Sequence, residues 1–336
     1  MRAKSYLVVF IIFGLLLAAS VQWILRGRAL NADLLKGEVS AVGTEAPSQN
    51  VRAQAPKQAT KAPALFGAKS QSVAKEQVPT APPLTPTHAY KGIEGLTLRL
   101  NHPLLFDVAQ VQGLAATSRS FYVSSIDPGQ RIAFLYEVRR DTYSIAQVRM
   151  LQRETRYRLG GLHLGAELLW APLAGDEGDD HSLILGIDPR YLEVKRSFEV
   201  AERIAALAEG AGGQLYGIDA RGDLFYEWTP DGREVRRTPN PSGVAYQDME
   251  VVRGSLVCAG MDETGGVLDV LDPSDFTILR RHHVDALSPG KNQVTRKGFA
   301  FAEGEFYFLP DDGPNPMLMT YVLEGVDLDT FVPHVP

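Results

Sequence analysis

Three features of this 336-residue sequence predict an all-β fold, a five-bladed β-propeller behind an N-terminal membrane segment and linker. Beyond Lys91 no long 3.6-residue periodicity appears, and short β-rich runs follow one another. Gly, Asp-Pro, Asp-Gly or Asn-Pro turns bound those runs. One order of four runs then recurs five times, which is the decisive pattern.

The first run of each unit aligns as Gln112-Gly113-Leu114-Ala115, Gly160-Gly161-Leu162-His163, Ala205-Ala206-Leu207-Ala208, Gln247-Asp248-Met249-Glu250 and Lys297-Gly298-Phe299-Ala300, with 48, 45, 42 and 50 residues between successive second positions. A second run follows at Phe121–Val123, Leu168–Trp170, Leu215–Gly217, Leu256–Cys258 and Phe306–Phe308. After an Asp-containing loop comes a third, at Ala133–Val138, Leu183–Ile187, Leu224–Trp228, Val267–Leu271 and Leu318–Leu323. A more polar fourth run ends the first four units, at Ser144–Met150, Val194–Val200, Arg233–Arg237 and Thr277–Val284. A four-strand unit cannot bury both faces alone, and stacking units around an axis is the propeller solution.

The fifth unit lacks a clear fourth run, while an unpaired strand-like run, Leu96–Leu100, precedes the first. Closure of the last blade by this N-terminal strand accounts for both and removes two exposed edges. Val326–Phe331 is the other candidate for that place.

Ahead of the propeller, taken as residues 91–336, two segments are expected. Within residues 1–28, Tyr6–Leu25 is an uncharged, largely apolar stretch flanked by Arg2, Lys4, Arg26 and Arg28. At about 1.5 Å per residue it spans roughly 30 Å, a hydrocarbon thickness. It reads as a single-pass anchor, with cleavage after Ala18-Ala19-Ser20 as the competing signal-peptide reading. Residues 29–90 are rich in Ala, Pro, Gln and Lys and too poor in large apolar groups to offset ordering entropy, so a disordered tether is expected. The propeller is then placed outside the cytoplasm, in a bacterial periplasm or beyond.

Charge is divided accordingly. Residues 1–90 carry ten Lys/Arg and four Asp/Glu, leaving 24 basic and 36 acidic residues, a charge of −12, for the remainder. Such a domain repels phosphate backbones, and nucleic acid is excluded as a ligand class. Cys258 is the sole cysteine, so no intrachain disulfide forms.

Phe121-Tyr122-Val123-Ser124-Ser125-Ile126-Asp127, Gly160-Gly161 with Leu169-Trp170-Ala171-Pro172, and Asn240-Pro241-Ser242 leading to Tyr246-Gln247-Asp248 together resemble an uncharacterised bacterial family of propeller-like domains, over roughly residues 96–324. The third unit departs from the pattern, with Ala205-Ala206 in place of more polar residues. The resemblance implies the fold and no catalytic residue.

Propellers meet ligands where their first strands enter the central channel. There the alignment places Gln112, Gly160, Ala205, Gln247 and Lys297, with Asp248 and His163 just inside, a polar set able to hold a small ligand or simply to satisfy itself. The loops between second and third strands all carry acid: Asp127; Asp176, Glu177, Asp179 and Asp180; Asp219; Asp262; Asp311. This rim could bind Ca²⁺ or steer a basic partner protein; equally, turn chemistry alone puts Asp in loops. Walker, His-Glu-x-x-His, Gly-x-Ser-x-Gly and Cys-x-x-Cys motifs are absent. His282-His283 reads as an exposed outer-strand pair. The expectation is a membrane-tethered binding module, with an enzyme acting on a small polar substrate at the channel mouth as the alternative.

Overall fold

The computed structural model describes residues 92–335 apart from 153, 154 and 177. The Tyr6–Leu25 stretch, the 29–90 linker and Glu177 lie outside the described residues. Among those described, no helix is long and apolar enough to cross a membrane.

Five antiparallel sheets make up the domain, and the chain is a five-bladed propeller. Blade 1 comprises β2 (Gln110–Ala116), β3 (Ser120–Asp127), β4 (Ile132–Arg139) and β5 (Ile145–Leu151). Blade 2 has a split inner strand, β6 (Arg158–Leu159) and β7 (His163–Leu164), followed by β8 (Leu169–Ala174), β9 (Ser182–Asp188) and β10 (Glu193–Val200). Blade 3 runs through β11 (Ile204–Glu209), β12 (Leu215–Asp219), β13 (Leu224–Trp228) and β14 (Glu234–Pro239). Blade 4 runs through β15 (Ala245–Val252), β16 (Ser255–Asp262), β17 (Gly265–Leu271) and β18 (Ile278–Val284). In blade 5, β19 (Gly298–Ala302), β20 (Glu305–Leu309) and β21 (Met317–Leu323) are completed on the outside by β1 (Leu96–Pro103).

That outer strand bears out the N-terminal closure, with Leu96 opposite Leu323 and Pro103 opposite Met317. The competing segment forms no strand. Its last four residues form the one-turn helix α1 (Leu328–Phe331), capped by Asp327, whose side chain accepts the N–H of Thr330. Phe331 is buried against Phe306 and the His282 ring, which stacks on it at 3.9 Å between centroids. His282 Nε2 also meets the Phe331 carbonyl at 2.9 Å. The exposed His pair is therefore corrected: alternation separates the rings as expected, but α1 covers His282 and leaves only His283 exposed.

The ring is closed in packing as well as in pairing. Five apolar clusters occupy the five blade interfaces, among them Leu135 against Leu185 between blades 1 and 2, and Val123 against Tyr307 and Leu318 between blades 5 and 1. Each buried side chain of this size contributes about 1.5–3 kcal/mol. The five outermost strands are all bulged, at Arg99, Ala146, Lys195, Val235 and Leu279. A bulge twists an edge away from flat pairing, which protects it from adding another chain.

Candidate ligand site at the channel mouth

The inner strands depart from regular pairing where they enter the channel. In blades 1, 3 and 4 the ladder skips one residue, between Val111 and Gly113, Ile204 and Ala206, and Tyr246 and Asp248. The residues left unpaired are Gln112, Ala205 and Gln247, the aligned mouth positions. A bulge re-aims the side chain it carries. In blade 2 the same position, Gly160, falls in the gap between β6 and β7, and in blade 5 Lys297 ends the 3₁₀ turn Val294–Arg296 just before β19.

Three blades thus converge on one cation. Lys297 Nζ donates to Gln112 Oε1 at 3.1 Å and to Gln247 Oε1 at 3.4 Å. Burial lowers the Lys297 pKa; the Asp311 carboxylate opposes this, and the charges of Arg296, Arg158 and Arg203 add to the lowering. Asp311 accepts the N–H of Val111 at 3.3 Å, and burial raises its own pKa against the pull of Lys297 and Arg296. Of the predicted rim residues, Asp311 is the one the structure couples to the mouth.

One residue deeper, the character changes. Gly113, Gly161 and Gly298 bring their backbones to the axis: a methyl group on Gly113 would lie 2.6 Å from the Gly161 Cα, and one on Gly161 would lie 2.5 Å from Asp248 Oδ1. Only a side chain this small allows such an approach. Asp248, fully buried, fills what remains. Its Oδ2 accepts the N–H groups of Leu114 (2.9 Å) and Phe299 (3.0 Å), and its Oδ1 that of Met249 (3.2 Å), so it ties the inner strands of blades 1, 4 and 5 together. Burial pushes the Asp248 carboxyl well above the ordinary range even though these N–H groups favour the carboxylate.

His163 lies three residues beyond the mouth position of blade 2, at the start of β7. Its Nδ1 meets Glu250 Oε2 at 2.7 Å, joining blades 2 and 4, and both side chains are buried. Burial raises the Glu250 pKa and His163 opposes it. The five predicted channel residues therefore separate into a mouth (Gln112, Gln247, Lys297), an axial plug (Asp248) and a deeper pair whose second member, Glu250, sequence reasoning missed. Its signal was its position, two residues after Asp248 on the same side of β15.

Most of the acidic rim is occupied by its own turns. Asp127 accepts Gln130 N–H, Asp262 accepts the N–H groups of Thr264 and Gly265, and Asp219 accepts those of Asp223 and Leu224. Asp179 accepts His181 N–H. Asp176 is bound by Tyr157 Oη and by Arg131 from the neighbouring blade, and those two hydrogen bonds hold its pKa low. Burial favours the protonated form of Asp262, but Thr264, Arg281 and the Gly265 N–H outweigh it. Asp180 lies in the same blade 2 loop as Asp176 and Asp179. Among the described residues, no three His, Cys, Asp or Glu side chains cluster as a metal site. Two open grooves lie away from the mouth beside Arg140, one of about 730 Å³ along blade 1 and one of about 470 Å³ where blades 5 and 1 meet.

The propeller is similar to the crystal structure of Myxococcus xanthus glutaminyl cyclase, at 16% identity and a TM-score of 0.52, covering 69% of this chain and 97% of that one. It is also similar to a protein of unknown function from Bacteroides caccae, at 14% identity and a TM-score of 0.42 over 59% and 69% of the two chains. A luciferin-regenerating enzyme follows at 15% and 0.43 over 66% and 79%. The first likeness shows the fold alone. No family model matches the chain, and no curated protein matches it.

Proposed function

We propose that this chain is a membrane-tethered, extracytoplasmic propeller that binds a small polar ligand at its channel mouth. The observation that carries the reading is the convergence of Gln112, Gln247 and Lys297 from three blades, on bulged or terminal backbone, directly above a saturated plug. Polar groups needed only for stability are expected to resemble Asp248, buried and bonded to main chain. The mouth groups are bonded chiefly to one another, each amide nitrogen making only a long 3.4 Å contact to a carbonyl of its own strand, and they stay partly accessible. The rim contributes less to this reading, because its carboxylates already serve turn N–H groups or arginines. The apolar Tyr6–Leu25 stretch supports the tether.

The test is to incubate the purified full chain with a small-molecule extract and identify what it retains by mass spectrometry, beside a Lys297→Met, Gln112→Ala double variant. Compounds retained by the wild type and lost from the double variant support the mouth as the site. Equal retention by both overturns it. A compound that is converted rather than retained, and only by the wild type, marks an enzyme.

A further inference from the structure

The polar atoms left over at the mouth are all of one kind. A lysine ammonium offers three donors and no acceptor, so Lys297 draws the amide oxygens of Gln112 and Gln247 toward itself. Both amide nitrogens are thereby turned away from it. Each reaches only a carbonyl of its own strand, Gln110 O and Ala245 O, both at 3.4 Å. With each amide oxygen drawn to Lys297, the mouth turns N–H outward: one hydrogen on each amide and the third on the ammonium.

The charges agree with the donors. Lys297, Arg158, Arg203 and Arg296 form no ion pair among the described residues, whereas the rim arginines Arg131, Arg221 and Arg281 are each paired with aspartate. Against those four cations stands Asp311, held by the Val111 N–H; Arg158 also acts on Asp176. The cup is lopsided too. Blades 1, 4 and 5 supply long side chains at the mouth position, but blades 2 and 3 supply Gly160 and Ala205, and Arg158 and Arg203 stand two residues before them. The small residues leave no open space of their own, since a methyl group on Gly160 would lie 2.3 Å from the Ala205 carbonyl oxygen, so what the arginine side adds is positive charge.

We infer that the mouth binds the oxyanion of a small molecule, carboxylate or phosphate, with Lys297 meeting its charge, Arg158 and Arg203 adding positive field, and the amides of Gln112 and Gln247 orienting it. This rests on the mouth being the ligand site. An ammonium hydrogen bond to an oxyanion is charge-assisted, stronger than a neutral one and stronger still where water is partly excluded. A mouth with this surplus of donors and positive charge over the single Asp311 carboxylate disfavours a cation.

Calorimetric titration of the full chain in detergent, at low ionic strength, tests this with acetate and inorganic phosphate as anionic probes, methylammonium as a cationic one and glycerol as a neutral one. At least one anion should bind, and phosphate without acetate, or the reverse, identifies the source of the oxyanion. Lys297→Met should weaken that binding about tenfold or more, the usual effect of losing a charged hydrogen bond, and Arg158→Gln should weaken it by a smaller factor through the lost charge. Arg203→Gln, at a half-buried position, should weaken it less and serves where either of the others unfolds. Anion binding that all three variants leave unchanged overturns the inference, as does a folded wild-type chain that binds neither anion. If methylammonium or glycerol binds in a Lys297-dependent way while the anions do not, the oxyanion falls and the mouth stands. If Lys297→Met also leaves the compounds retained from extract unchanged, both fall.

Discussion

The mouth and the plug beneath it are adjacent in sequence and opposite in chemistry. Gln247 and Asp248 are consecutive, yet Gln247 sits on a bulge and meets one lysine and, at 3.4 Å, the Ala245 carbonyl, while Asp248 takes three main-chain N–H groups in a site closed by glycines. A polar residue in a channel is structural when the backbone saturates it, and available when its hydrogen bonds are few and long. Substitutions on the two levels should therefore separate stability from binding.

The largest effect is expected at the plug. Asp248→Ala leaves the buried N–H groups of Leu114 and Phe299 without acceptors and should cost about 3–5 kcal/mol, read from urea unfolding. His163→Ala isolates the Glu250 carboxyl and should cost about 2–4 kcal/mol, moderated because a raised pKa allows Glu250 to protonate. Lys297→Met should change stability by less than about 1 kcal/mol, since a desolvated ammonium is removed along with two hydrogen bonds, while ligand retention is lost. A smaller change still is expected from Asp127→Ala, within about 0.5 kcal/mol, because that turn is exposed. If Lys297→Met destabilises as strongly as Asp248→Ala, the contrast between the levels is gone.

Acidity sharpens the same contrast. A carboxyl whose pKa is raised on folding binds its proton more tightly in the folded chain than in the unfolded one, so its contribution to stability falls as pH rises from the unfolded value, 3.8 for Asp248, toward the folded one. Wild type should therefore gain stability relative to Asp248→Asn when unfolding is compared at about pH 7.5 and then about pH 4.5. Parallel stability profiles for the two chains would show that Asp248 keeps an ordinary pKa.

Much of the fold was legible because each blade repeats the same demand for two buried faces. The five-fold order, the outer position of Leu96–Leu100 and the mouth residues all followed from aligned spacing. What periodicity could not show is where the ladder slips: the bulges at Gln112 and Gln247 break alternation, and only the resulting geometry reveals that they share Lys297. Glu250 was hidden because its partner, His163, lies 87 residues away across the axis. The local role of the acidic rim was hidden for the opposite reason. Asp127 and Asp262 look like ligands in a list of carboxylates, but each caps its own turn. His282 was misjudged because the α1 turn that covers it is short and irregular.

The strand that completes blade 5 has a consequence for the timing of synthesis. Among the described strands β1 is made first and β21 last; Thr97 and Glu324, hydrogen-bonded in the finished ring, are 227 residues apart. At roughly 5–20 residues per second, β1 waits on the order of 10–45 s for its partner to be translated. Through that interval blades 1 to 4 can form from neighbouring segments, but the ring cannot close. Its leading strand stays an unmatched edge, open to any chaperone or neighbouring chain that reaches it before β21 does.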